Sequence, residues 1–182
     1  MRRILLLLSL LLFSCKNDVS ETIQETNLAK EIDKKTGIVD VSDIELEIYD
    51  YDGLEPIINK KDNKIHVVNF WATWCGPCVK ELPYFEDMNK KYKADNVEVL
   101  LVSLDFPNKY ESQLKPFIKK YDLKSKVVAF DDTNQNRWIP AINNDWSGAL
   151  PATIIYNKSK RKFYEQSFTK EELEKEIQQF LN

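Results

Sequence analysis

The apolar and polar positions divide the chain into three stretches. Residues 4–13 are apolar except for Ser9. From Lys16 to about Asp40 the chain is polar, with few apolar positions. Beyond that, apolar positions recur at the spacings of strands and helices. Residues 44–49 alternate apolar and polar, as a half-buried strand does. Asp52-Gly53 signals a turn. Residues 54–59 then return as a second strand, which Pro56 confines to an edge. The expected unit is an N-terminal β-hairpin beside the main sheet.

Residues 65–71 are nearly all apolar or β-branched, which suits a central strand buried on both faces. In residues 79–93, Leu82, Phe85, Met88 and Tyr92 fall on one helical face, with Pro83 inside the pattern. Residues 97–104 predict another strand. Residues 110–121 predict a helix with a local defect at Pro116. Residues 126–130 form a short strand, and 131–144 contain a short helix. Strands follow at 152–156 and 162–166 around a turn at 157–160. Thr169-Lys170-Glu171-Glu172 has the capping-box pattern and opens a last helix. Early β-α-β units followed by a late hairpin imply an α/β fold, a mixed sheet with helices on both faces.

Composition narrows the function. The chain has 182 residues, 43% hydrophobic and 30% charged, with a net charge of −3. Without residues 1–14 it would lose Arg2 and Arg3 and no acid, leaving 24 basic against 29 acidic residues, or −5. Lysines are interleaved with acids, so no basic face is offered to nucleic acid. The apolar run at 4–13 follows two arginines and is shorter than the ~20 residues of a membrane span. It has the form of a secretory signal. The polar stretch after it reads as a flexible tether.

The chemistry concentrates at Trp74-Cys75-Gly76-Pro77-Cys78, between the strand at 65–71 and the helix that follows. Two cysteines at this spacing can close a disulfide or supply half a metal site. The chain has three cysteines and one histidine, His66, which sits near the start of that strand and reads as structural. About four ligands are needed for tetrahedral zinc, so a metal is poorly supplied and a redox pair fits better. No cofactor is called for. A cysteine at a helix start faces unpaired backbone N–H groups, which stabilise the thiolate, the reactive species.

Residues 69–83, which run from Asn69-Phe70-Trp71-Ala72-Thr73 through the cysteine pair to Val79-Lys80-Glu81-Leu82-Pro83, resemble the TlpA/ResA branch of the thioredoxin superfamily. Leu150-Pro151-Ala152-Thr153 resembles the superfamily's second landmark, where a cis-proline precedes a late strand. Leu12-Phe13-Ser14-Cys15 resembles a bacterial lipoprotein cleavage box, with Phe13 larger than usual at its position. The resemblance implies a thioredoxin-like domain at 41–182, a lipoprotein signal at 1–14, and a tether at 15–40 lipidated on Cys15. It implies an extracytoplasmic protein held on a bacterial membrane, where disulfide chemistry is normal.

It also assigns roles. Cys75 is the nucleophile and Cys78 the more buried resolving cysteine of one redox-active disulfide. Trp74, Gly76, Pro77, Leu150 and Pro151 bind substrate. Trp71 is read as core, and Trp138 and Trp146 as either rim or core. Cytoplasmic thioredoxins carry a buried aspartate where this chain has Asn69. In the ResA branch a glutamate after the second cysteine takes a comparable place, and Glu81 matches it. Three residues beyond Cys78, Glu81 would accept a proton from that thiol. An acid at this spacing is otherwise an ordinary solvated helix charge.

The expected partners are disulfide-containing proteins and a membrane or periplasmic electron donor. Relatives serve processes that include cytochrome c maturation. The expected activity is reduction of protein disulfides, for which Gly76-Pro77 resembles reducing members. A disulfide-donating oxidase on the same fold and a non-catalytic binding module are the competing readings.

Overall fold

The computed structural model describes residues 39–181. The signal at 1–14, Cys15 and residues 16–38 of the tether lie outside the described residues. Residues 41–181 belong to one folded unit.

Six strands form one sheet in the order β1-β4-β3-β2-β5-β6. They are β1 (Glu47–Tyr49), β2 (Ile65–Trp71), β3 (Val97–Ser103), β4 (Lys126–Phe130), β5 (Ala152–Tyr156) and β6 (Arg161–Tyr164). All seven residues of β2 are buried, as its unbroken apolar run predicts. It runs parallel to β3 and antiparallel to β5. The sheet is therefore mixed, with a parallel half and an antiparallel hairpin.

Side chains alternate across β2 and feed two cores. Val67 and Trp71 enter one, with Leu82, Phe85 and Met88 of helix α2 (Gly76–Lys91) and Leu173 and Ile177 of helix α5 (Lys170–Gln178). Val68 and Phe70 enter the other, with Leu54, Trp138, Ile142 and Trp146. Trp138 and Ile142 belong to helix α4 (Gln135–Ile142). Both late tryptophans are thus core, each with its indole N–H satisfied by a backbone carbonyl, Asp132 for Trp138 and Ala149 for Trp146. His66 is also structural, stacked on Tyr156 and paired with Asp62.

The N-terminal hairpin is corrected. β1 is a three-residue edge strand paired in parallel with β4, and no strand follows it before β2. Instead, Tyr51–Leu54 form the short helix α1. Asp50 caps it, accepting a bond from the Gly53 N–H at 2.9 Å. The Asp-Gly pair that reads as a hairpin turn is therefore the first turn of a helix, because Asp50 satisfies an orphan N–H. A Cβ on Gly53 would come within 2.9 Å of the Tyr49 ring, so the chain packs closely there. Leu54 and Ile58 then plug the second core, and their burial competes successfully with a second strand.

The segment at 110–121 opens as a π-helical turn, Tyr110–Leu114, and continues as helix α3 (Lys115–Lys120). Pro116 has no N–H and would clash with the preceding turn of a regular helix, which accounts for the widened turn before it. The capping box at Thr169 forms in full: Thr169 Oγ1 accepts from the Glu172 N–H, and the Glu172 carboxylate accepts from the Thr169 N–H at 2.9 Å.

Candidate active site

Strand register brings the site together. Trp71 pairs with Ser103, and Phe70 pairs with Ala152. The chain leaving β2, the chain leaving β3 and the chain entering β5 therefore meet at one end of the sheet. That end carries the cysteine motif, Ser103 to Phe106, and Leu150-Pro151.

Cys75 is the N-cap of α2, with extended backbone, and Pro77 lies in the first turn. Proline is tolerated there because its missing N–H would have no intrahelical partner. The Cys78 N–H points at Cys75 Sγ across 3.3 Å. Cys75 and Cys78 are joined as a disulfide with Cα atoms 5.2 Å apart. Cys75 retains 6% exposure and Cys78 none, so Cys75 is the less buried of the pair. A Cβ on Gly76 would meet nothing within 4 Å, so the fold itself does not require glycine at this surface position.

Trp74 is 54% exposed beside Cys75 and stacks on Phe106, itself 63% exposed, with ring centroids 6.4 Å apart. Trp71 is fully buried. The Leu150–Pro151 peptide is cis. The loop before it contains Gly148 at φ +91°, a left-handed conformation that favours glycine. The Glu165 carboxylate holds this loop, accepting from the Ser147 N–H at 3.1 Å, the Ser147 hydroxyl and the Ala149 N–H at 3.0 Å.

Glu81 is buried, at 1% exposure, and is not a solvated helix charge. Its Oε2 accepts the Phe168 N–H at 2.7 Å, and its Oε1 accepts from Asn69 Nδ2 at 3.2 Å. Burial pushes its pKa up to about 7, against the lowering effect of those two bonds. A carboxylate in this state can exchange a proton near neutral pH. Asn69 also donates to Thr153 Oγ1 at 3.1 Å, joining β2 to β5 and α2 at one polar point in an apolar core.

Sequence reasoning missed Phe106, Asp105 and Glu165. Asp105 is 2% exposed and holds Thr73, two residues before Cys75. Its one signal in the sequence is its place directly after the strand predicted at 97–104. Among the described residues, no helix is long and apolar enough to cross a membrane.

The sequence model of the AhpC/TSA family matches residues 40–161. Among curated proteins, the thiol-disulfide oxidoreductase ResA of a Bacillus cereus strain is 36% identical over 91 residues, covering 50% of this chain and 47% of the relative. The protein of the same name from Oceanobacillus iheyensis is 35% identical over 110 residues, covering 60% and 46%. The chain thus spans about half the length of these curated relatives. Among solved structures, a protein from Chlorobium tepidum provisionally named thiol:disulfide interchange protein DsbE aligns with a TM-score of 0.54 at 27% identity, covering 66% of this chain and 82% of that one. A thioredoxin family thiol:disulfide interchange protein from Chlorobium tepidum TLS aligns at 0.55 with 19% identity, covering 66% and 81%, a likeness of fold.

Proposed function

The chain belongs to the AhpC/TSA family, with a thioredoxin-like fold, and on that premise we propose that it is an extracytoplasmic thiol-disulfide oxidoreductase that reduces protein disulfides through Cys75 and Cys78. The observation that carries this reading is the disulfide at the start of α2, with Cys75 at the surface edge of the core and Cys78 fully buried.

The exchange begins from the dithiol. The Cys75 thiolate, stabilised by the helix N-terminus, attacks a substrate disulfide. A Cys75–substrate bond forms, and the substrate S–S bond breaks. The departing sulfur leaves as a thiolate and takes up a proton. Cys78 gives its proton to Glu81, and its thiolate attacks Cys75. The Cys75–Cys78 disulfide forms and the second substrate thiol leaves. Two electrons have passed to the substrate, and a dithiol donor at the membrane or in the periplasm must return them. Trp74, Gly76, Pro77, Leu150 and the cis Pro151 form the face on which the substrate segment lies. Proline at 151 has no N–H to donate, and the open space at Gly76 leaves the approach clear.

In this reading residues 1–14 are a lipoprotein signal, and Cys15 carries the lipid that holds the domain at a bacterial membrane. Replacing Cys15 with serine should release the protein from the membrane fraction.

Direction is tested by the reduction potential of the Cys75–Cys78 couple. A value near that of thioredoxin, about −270 mV, supports the reductant. A value near about −120 mV, as in strong periplasmic oxidants, supports the disulfide-donating oxidase instead.

A further inference from the structure

Three consecutive links join the chain before Cys75 to the chain leaving β3. The Leu104 N–H donates to the Trp71 carbonyl at 2.8 Å. The Thr73 N–H donates to Asp105 Oδ2 at 3.0 Å, and the Thr73 hydroxyl donates to Asp105 Oδ1. Phe106 stacks on Trp74. The Ser103 hydroxyl also donates to Asp105 Oδ2 at 2.8 Å and accepts the Asp105 N–H at 3.1 Å, which fixes the carboxylate in place. From the π-helical turn, Gln113 Nε2 donates to Thr73 Oγ1 at 2.7 Å. The Cys75 N–H bonds back to the Ala72 carbonyl at 3.1 Å, so the residues between are anchored at both ends.

A carboxylate held by neutral donors at 2% exposure is a costly way to pin a loop. The cost makes sense where the loop's geometry matters. We propose that Asp105 is a positioning residue for Cys75: through Thr73 it fixes the segment that presents the Cys75 sulfur to the start of α2. It touches neither substrate nor sulfur. Gln113 supports it from the second side of the Thr73 hydroxyl. The inference rests on the exchange role proposed for Cys75.

The test reads Cys75 itself and not turnover of a protein substrate. In the Cys78→Ser background, the rate of reaction of Cys75 with an aromatic disulfide is followed across about pH 5 to 10, the range that spans thiol ionisation. Thr73→Val keeps the Asp105 charge but removes the hydroxyl. It should raise the apparent pKa of Cys75 by about half a unit or more, slowing the reaction at neutral pH by roughly threefold. Thr73→Ser should restore the parent profile. Asp105→Asn added to Thr73→Val should change the rate less than Asp105→Asn does alone, because the two groups act as one unit.

Thermal melting checks folding. If Asp105→Asn fails to fold, the Thr73→Val and Thr73→Ser pair decides the matter alone, since Thr73 is half-buried. Superimposable profiles for Thr73→Val and its parent would overturn the proposal, as would a Thr73→Ser profile as displaced as that of Thr73→Val. A failure of the exchange reading would look different. The wild-type protein would then leave protein disulfides intact, whatever the Cys75 profiles show.

Discussion

Asn69 Nδ2 donates to Glu81 Oε1 across 3.2 Å, tying the central strand to the helix that begins at the cysteine pair. Both side chains are buried, and the Phe168 N–H completes the carboxylate's partners from 87 residues away.

Glu81 should set the pH dependence of stability. Its pKa rises on folding from 4.5 to about 7, because burial disfavours the charged form. The folded state therefore holds the proton more tightly. The stability this gives is fully present below about pH 4.5 and is lost as pH rises through about 7. At ~1.4 kcal/mol per unit, the loss is of order 3 kcal/mol. Denaturant unfolding of the oxidised protein should show that slope between about pH 4.5 and 7 in the wild type and lose it over the same range in Glu81→Gln. Resolution of a Cys75 mixed disulfide by Cys78 should move its rise to higher pH in Glu81→Gln, toward the ionisation of an unassisted thiol at about 8.5. Equal slopes in the two proteins would remove Glu81 from the account.

Asn69→Leu should move the same titration upward. The bond from Asn69 lowers the Glu81 pKa, so its removal pushes that pKa above the wild-type value. The pH profile of mixed-disulfide resolution should shift to higher pH. Stability should fall by about 1–3 kcal/mol, since Glu81 and Thr153 each lose a buried partner. An unshifted profile would mean that Glu81 does not take the proton.

Glu165→Ala should loosen the loop that leads into Pro151, because two backbone N–H groups and one hydroxyl lose their acceptor. The expected effect in a protein-disulfide reduction assay is a several-fold rise in KM with little change in kcat. The hydrogen bond from the Ser147 hydroxyl holds the Glu165 pKa below the usual carboxylate value of 4.5. Its stabilisation is present above that pH and is lost as pH falls through the folded value. Acid should therefore narrow the gap in Tm between wild type and variant.

Phe106→Ala should weaken reduction of protein disulfides while sparing small ones. The Trp74–Phe106 pair is exposed beside Cys75 and supplies apolar area only to a substrate large enough to cover it. A fall of about three- to tenfold in kcat/KM for a protein, equivalent to about 0.7–1.4 kcal/mol, is expected. An equal fall for a small aromatic disulfide would point instead to a distorted Cys75.

Local signals carried much of this architecture. The apolar run of β2 and the capping box at Thr169 depend on neighbours in sequence, and both appear where the pattern places them. The cysteine motif and Leu150-Pro151 were also legible. What was not legible depends on distant partners. The strand expected at 54–59 does not form, because Leu54 and Ile58 reach a core built from β2, β4 and α4. Asp105 acts on Thr73 across 32 positions, and Glu165 on Ser147 across 18, with no periodicity to announce either. Glu81 left two readings open, although its spacing from Cys78, Phe85 and Met88 puts it on the buried face of α2. A polar residue inside an apolar stripe adds nothing to the hydrophobic pattern, so the burial that raises its pKa is not visible in that pattern.

In the proposed exchange Cys75 attacks a substrate disulfide and Cys78 resolves the mixed disulfide, and trapping separates that exchange from simple binding. Cys78→Ser, expressed in its own cells and resolved on non-reducing gels, should accumulate mixed disulfides that vanish on adding dithiothreitol and are absent when Cys75 is also changed to serine. A Cys78→Ser protein that forms no mixed disulfides through Cys75 would contradict the account and leave the thioredoxin-like domain as a binding module.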